Sequence, residues 1–129
     1  MENIVPDENF SSECPFCGSA FLSEIIESYG TVAAIRDATP VSEGHMLIVT
    51  LRHTEDIFSM SDAERNDSMK MIGILKRRAL AIDPSITGFN VGVNCGVSAG
   101  QQIMHAHIHF IPRRGDEPIK GVIRNNMSY

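Results

Sequence analysis

The feature that most limits what this chain can become is the run Met104-His105-Ala106-His107-Ile108-His109-Phe110-Ile111, in which imidazoles alternate with apolar side chains. Successive side chains of a strand point to opposite faces. The run therefore predicts a strand from Met104 to Ile111 with its three histidines on one face and Ala106, Ile108 and Phe110 in a core on the other. Buried neutral imidazoles need hydrogen-bond partners, so three side by side require an explanation. Histidines concentrate at catalytic and metal sites, because their charge changes near neutral pH and the neutral ring is a good ligand.

The strand has company. Residues 22–28 and 31–36 are short β-prone runs separated by Gly30, which predicts a hairpin. Asp37 to Gly44, with Pro40 inside it, reads as a loop, and His45-Met46-Leu47-Ile48-Val49-Thr50 as a buried strand. The spacing predicts a helix over 62–82: Ser61 and Glu64 form a capping box, and Ile72, Leu75, Ala79 and Ile82 a core-facing stripe. Asp83-Pro84 ends that helix. Gly88 to Asn94 reads as another strand, Cys95 to Gln102 as a loop, and Pro112-Arg113-Arg114-Gly115 closes the last strand. Met69, Met71 and Met104 read as core packing rather than metal ligands. One helix with several strands in hairpin order gives an α+β fold with an antiparallel sheet.

At 129 residues the chain fits a single domain with one modest core. Its net charge of −5 argues against general nucleic-acid binding. It leaves room for a small anion, which local donors can hold without help from the overall field. Apolar runs such as Met46 to Val49 are too short to span a bilayer, and Met1-Glu2-Asn3 lacks a basic leader, so a cytoplasmic protein is expected. Three cysteines do not make a closed disulfide framework. Cys14 and Cys17 form a C-x-x-C pair around Pro15 and Phe16, a spacing that suits either a metal or a redox couple. Asn94, Ser98, Gly100, Gln101 and Gln102 place neutral donors and flexible backbone beside the histidines, a setting for phosphate oxygens. A metal shared among the imidazoles is the alternative.

The run from His105 to Ile111 resembles the signature of the histidine triad (HIT) nucleotide hydrolases and transferases. Asp37-Ala38-Thr39-Pro40-Val41-Ser42-Glu43-Gly44-His45 is similar to that family's D-x-x-P-x-x-x-G-H segment, and an apolar strand and a second histidine, His53, follow it. Gly88-Phe89-Asn90 through Asn94, then Ala99-Gly100-Gln101, resembles the loop before the triad, so the likeness runs from about Cys14 to Arg114. It implies a HIT-like fold: a five-stranded antiparallel sheet, one long helix, and a short N-terminal helix or knuckle at about 14–18. One domain would cover 1–129, with loose ends at 1–9 and 115–129. A homodimer joining two sheets through the long helix and its neighbouring strand is also implied.

The resemblance further implies roles. His107 would attack the α-phosphorus to form a nucleotidyl-histidine, His109 would donate to the phosphate, and His45 would orient the pair. Asn94, Gly100, Gln101 and Gln102 would contact phosphate or bridging oxygens. Asp37 would hold the ribose hydroxyls, although a loop aspartate can equally serve its own turn. Phe16 and Ile35 would belong to an apolar base pocket. Cys14, Cys17, His53 and His105 would bind a structural Zn2+, with an unmetallated pair of buried thiols as the alternative, and Cys95 is left as a free thiol. Two departures stand out: Gln102 replaces a usual Ser or Thr, and Thr50-Leu51-Arg52 lacks the common Pro-Lys before His53. The activity implied is hydrolysis of dinucleoside polyphosphates or related nucleotide phosphoesters and phosphoramidates. Transfer of the nucleotidyl group to phosphate uses the same intermediate, and a nucleotide-binding module and a zinc metalloenzyme are the rival classes.

Overall fold

The structure is a computed structural model and describes residues 13–115. The ends expected to be loose, at 1–9 and 115–129, fall outside those residues except for Gly115. In chain order the elements are α1 (Ser19–Leu22), β1 (Glu27–Tyr29), β2 (Val32–Arg36), β3 (Met46–Thr50), α2 (Asp62–Ile82), β4 (Ile86–Gly92) and β5 (His107–Arg114). The strands form one antiparallel sheet in the order β1-β2-β3-β5-β4.

Both faces of the sheet are covered, which explains why Met46–Thr50 is buried throughout instead of alternating. On one face α2 packs Met71 and Leu75 against Val32, Ala34, Ile48, Ala106, Ile108 and Phe110. On the other, Phe16 and Phe21 from the N-terminal knuckle cover Ala33, Ile35, Leu47 and Val49. The histidine-bearing face thus lies under the knuckle rather than open to solvent.

Helix α2 starts and stops where its sequence signals stand. Ser61 Oγ accepts from the Glu64 amide and the Glu64 carboxylate accepts from the Ser61 amide. The buried stripe differs from the expected one. It runs Glu64, Ser68, Met71, Leu75, while Ile72 and Ala79 flank the core and Ile82, at 68% exposure, leaves it at the helix end. Two polar residues hid the first half of the stripe. Glu64 is buried because Arg52 reaches it with two hydrogen bonds, of 3.0 and 2.8 Å. Met71 is core, but Met69 is exposed.

The hairpin between β1 and β2 forms later than the 22–28 run suggests, since Ser19–Leu22 is helical and only Glu27–Tyr29 pairs. Gly30 turns it with φ +55, and a Cβ there would collide with the Asp67 carboxylate, which accepts from Thr31 N and Oγ1 at 2.8 Å each. The last strand begins at His107 rather than Met104. His105 and Ala106 are held by the end of β3 and the segment after it instead: His105 Nε2 donates to the Thr50 carbonyl (2.7 Å) and Ala106 N to the Thr54 carbonyl (2.7 Å). The strand also runs past Pro112 to Arg114, because β3 has ended by then and Pro112 has a strand neighbour on one side only.

Candidate active site and metal centre

β5 carries the centre of the site, and the backbone around it decides what each imidazole can do. His107 Nδ1 lies 2.8 Å from the His105 carbonyl, which can only accept. Nδ1 therefore holds the proton of the neutral ring, and Nε2 keeps the lone pair. Burial lowers the pKa of His107 below the ordinary 6.5, against the pull of the His105 carbonyl and the Asp37 charge. At neutral pH the ring is uncharged and its lone pair is free.

His109 has the opposite arrangement. The Val41 amide donates to His45 Nδ1 at 3.1 Å, so the proton of neutral His45 sits on Nε2. That N–H meets His109 Nδ1 at 2.9 Å, with Asp37 Oδ2 at 3.3 Å as a second acceptor. His109 Nδ1 accepts, and its own proton is left on Nε2. Burial, then the rings of His107 and His45, push His109 down to about 4, with Asp37 opposing. Burial also lowers His45, against Asp37 and with help from Arg113. The site thus holds one imidazole with a lone pair to give and one with an N–H to give, two residues apart.

Both rings line a cavity of about 470 Å³. Its polar side holds Asp37, Asn94, Gly100 and Gln102, and its apolar side Phe16 and Ile35 together with Phe21 and Leu47. Asp37 Oδ1 accepts from the Thr39 amide at 2.8 Å, the local turn, while its Oδ2 faces His45 and His109, so the two readings of this aspartate coexist. Gln102 is exposed at the rim.

Gln101 departs from its expected place. It is 4% exposed and does not line the cavity: its amide nitrogen donates to the carbonyls of Glu55 (2.7 Å) and Ile103 (3.0 Å), and its oxygen accepts from the Gly96 amide (2.8 Å). It pins the loop before β5, with both amide N–H groups and its oxygen engaged by backbone. His45 likewise stands behind His109 rather than on the cavity wall. Sequence reasoning missed the Val41 amide, which orients His45 through its backbone and leaves no side-chain signal. It also missed Arg114, which joins Ser42 Oγ (2.9 Å) and the Glu43 carbonyl (2.9 Å) to Asp83, fastening the Asp37–His45 loop to the end of α2.

The second cluster lies at the other end of the triad. Cys14 Sγ and Cys17 Sγ are 3.3 and 3.7 Å from His105 Nδ1, Cys17 Sγ is 3.3 Å from His53 Nδ1, and the two Nδ1 atoms are 3.1 Å apart. The four ligand atoms lie within 4.8 Å of one another. A tetrahedral ion about 2.3 Å from sulfur and about 2.0–2.1 Å from nitrogen separates its ligands by roughly 3.3–3.8 Å, and the four separations of 3.1–3.7 Å given above are near that spacing. The His105 proton is on Nε2, engaged with Thr50, which leaves Nδ1 bare towards the thiols. Burial pushes the Cys14 thiol up to about 11, with the Phe16 amide opposing, so without a cation this sulfur stays protonated at neutral pH. Asp37, His45 and His109 also cluster closely enough for a metal. They suit one poorly, since Val41 and His45 already occupy the lone pairs that an ion would need.

Comparison with known proteins places this architecture. The HIT domain family pattern matches residues 22–116, and the chain belongs to that family. An uncharacterized HIT-like protein of Mycoplasma genitalium is 32% identical over 113 residues, 83% of this chain and 77% of that one. An AP-4-A phosphorylase of Mycobacterium tuberculosis is 28% identical over 120 residues, 87% of this chain but only 60% of the phosphorylase. Among solved structures, a Zn-bound histidine triad family protein from Mycobacterium smegmatis superposes with a TM-score of 0.75 at 25% identity, covering 88% of this chain and 84% of the other. Among the described residues no helix is long and apolar enough to cross a membrane.

Proposed function

We propose that the protein is a nucleotide hydrolase acting on dinucleoside polyphosphates or related nucleotide phosphoesters and phosphoramidates, with His107 as nucleophile. The observation that carries this reading is the hydrogen bond from His107 Nδ1–H to the His105 carbonyl, which leaves a neutral Nε2 on a ring lining the cavity. Nε2 attacks the α-phosphorus, a P–N bond forms, and the bond to the leaving-group oxygen or nitrogen breaks with its electron pair going to the leaving group. Water then cleaves the P–N bond, releasing the nucleotide and restoring the ring. His109 Nε2–H donates to the phosphoryl oxygens as charge develops on them, and His45 holds His109 in the donating tautomer. Asp37 receives the ribose hydroxyls, Asn94, Gly100 and Gln102 stand at the phosphates, and Phe16 and Ile35 enclose the base.

Cys14, Cys17, His53 and His105 would hold Zn2+, since thiolate with imidazole favours zinc over magnesium or calcium. Bound there, the ion supplies structural cross-linking; four protein ligands leave it no open position for substrate. β4 stands at the edge of the sheet with a strand neighbour on one side only, which supports the expected homodimer.

Trapping with an α-labelled dinucleoside polyphosphate tests the reading: a denaturing quench kept alkaline, because acid cleaves a P–N bond, followed by peptide mass spectrometry at the same pH is expected to find the nucleotidyl group on His107. Label on no histidine, with turnover intact, would overturn it. The phosphorylase relative favours a second reading, in which phosphate replaces water as acceptor. Product analysis with and without added phosphate separates the two, since phosphorolysis yields a nucleoside diphosphate where hydrolysis yields the monophosphate.

A further inference from the structure

We propose that the metal knuckle builds one wall of the nucleotide cavity through Phe16, so that metal binding and nucleotide binding strengthen each other. The inference rests on the nucleotide reading and gives the metal cluster a role beyond holding the fold. Phe16 stands between the two thiol ligands in sequence and is 5% exposed. Its ring meets two imidazoles edge-on, with centroids 5.6 Å from His105 and 5.4 Å from His107, both within the range of favourable aromatic pairs. One side chain therefore touches a metal ligand and the nucleophile, and it lines the cavity as well, with Pro15, Ala20 and Phe21 of the same segment.

Among the described residues, the knuckle's own backbone hydrogen bonds are local. Cys17 N donates to the Cys14 carbonyl at 3.1 Å and Phe16 N to Cys14 Sγ at 3.4 Å. What fastens it to the sheet is the burial of Phe16 and Phe21 and the approach of its thiols to His53 and His105. An ion among those four ligands clamps the segment, and with it the wall that the base would lean on. The link is selective, because the bond from His105 Nε2–H to the Thr50 carbonyl and the bond from His107 to the His105 carbonyl make no use of the metal-facing Nδ1. Loss of metal loosens Phe16 while the nucleophile keeps its tautomer, so binding suffers before chemistry does.

Thermodynamic coupling is reciprocal, which allows a test on the folded, metal-loaded protein. Chelator competition measures Zn2+ affinity with and without saturating adenosine 5′-monophosphate, whose own binding is followed by calorimetry. In the wild-type protein the nucleotide is expected to tighten Zn2+ by about tenfold, within the usual span of coupling between sites. Phe16→Ala keeps all four ligands and is expected to lose most of that factor, and Phe16→Leu, which refills the wall, to recover it. Metal removal is expected to raise KM by a similar factor and to change kcat much less. Equal Zn2+ affinity with and without the nucleotide, or an undiminished factor in Phe16→Ala, overturns the inference. If the monophosphate fails to bind the metal-loaded wild-type protein at all, the nucleotide reading falls first and takes the coupling with it.

Discussion

His105 and His107 are separated by one residue, yet they present opposite nitrogens. His105 donates its Nε2–H to the Thr50 carbonyl and turns Nδ1 to the thiols; His107 donates its Nδ1–H to the His105 carbonyl and turns Nε2 to the cavity. Neither choice is made by the imidazole. In each case a backbone carbonyl accepts a hydrogen bond from one ring N–H and thereby fixes which nitrogen keeps its lone pair, so two identical side chains on one segment acquire different chemistries. The site with four converging ligands directs its donor atoms at one another, whereas the site with one bare nitrogen opens onto a cavity.

The sharpest way to break that comparison is to remove one ring and ask whether the other site notices. His107→Ala is expected to lower kcat/KM on the order of 10⁴-fold or more, as loss of a nucleophile does, while Zn2+ content measured by atomic absorption stays at the wild-type level. Substantial residual turnover would place the nucleophile elsewhere. His109→Ala removes a donor and not the attacking atom, and a loss of about 10²–10³-fold, chiefly in kcat, is expected from steady-state kinetics. The converse change, Cys17→Ser, is expected to abolish Zn2+ binding and lower the melting temperature by about 10 °C, corresponding to a few kcal/mol in a domain of this size. A melting temperature unchanged in calorimetry would show that the cluster does not hold the knuckle.

The smallest expected effect is on pH dependence, and it sharpens the assignment of the proton. A protonated His107 has no lone pair to give, so activity is lost as pH falls through its pKa. Burial lowers that pKa, so the acid limb of kcat/KM is expected below pH 6.5. Asp37 opposes the lowering, and Asp37→Asn is expected to move the limb further down. A limb at or above pH 6.5 in the wild-type profile would mean that His107 is not buried as described.

How much of this was readable beforehand follows from how local each signal is. The capping box at Ser61 and Glu64, the helix from Asp62 to Ile82, and the apolar side of β5 depend on neighbours a few residues away, and the sequence reading matched them. The gathering of Cys14, Cys17, His53 and His105 was legible because only a metal or a redox couple explains C-x-x-C so simply, and the family likeness supplied the two histidines. What was not legible depends on partners far along the chain. Glu64 reads in the sequence only as half of a capping box, but Arg52 reaches it from outside the helix, and the buried stripe begins there, about two turns ahead of Ile72. Gln101 looked like a phosphate contact because it stands beside Gly100, but its partners at Glu55 and Ile103 already satisfy it. The Val41 amide could not be read at all, since any residue but proline would offer it.

The Arg52–Glu64 pair has a consequence for anyone wishing to transplant this chemistry. Arg52 directly precedes His53, and the carboxylate it grips also closes the first turn of the long helix, while the carbonyl of Ser59 takes a further hydrogen bond of 3.2 Å from the same guanidinium. Copying two cysteines and two histidines onto a relative lacking that arginine would deliver the ligands without the scaffold that aims one of them. A graft would have to move Thr50 to Glu64 as a single cassette.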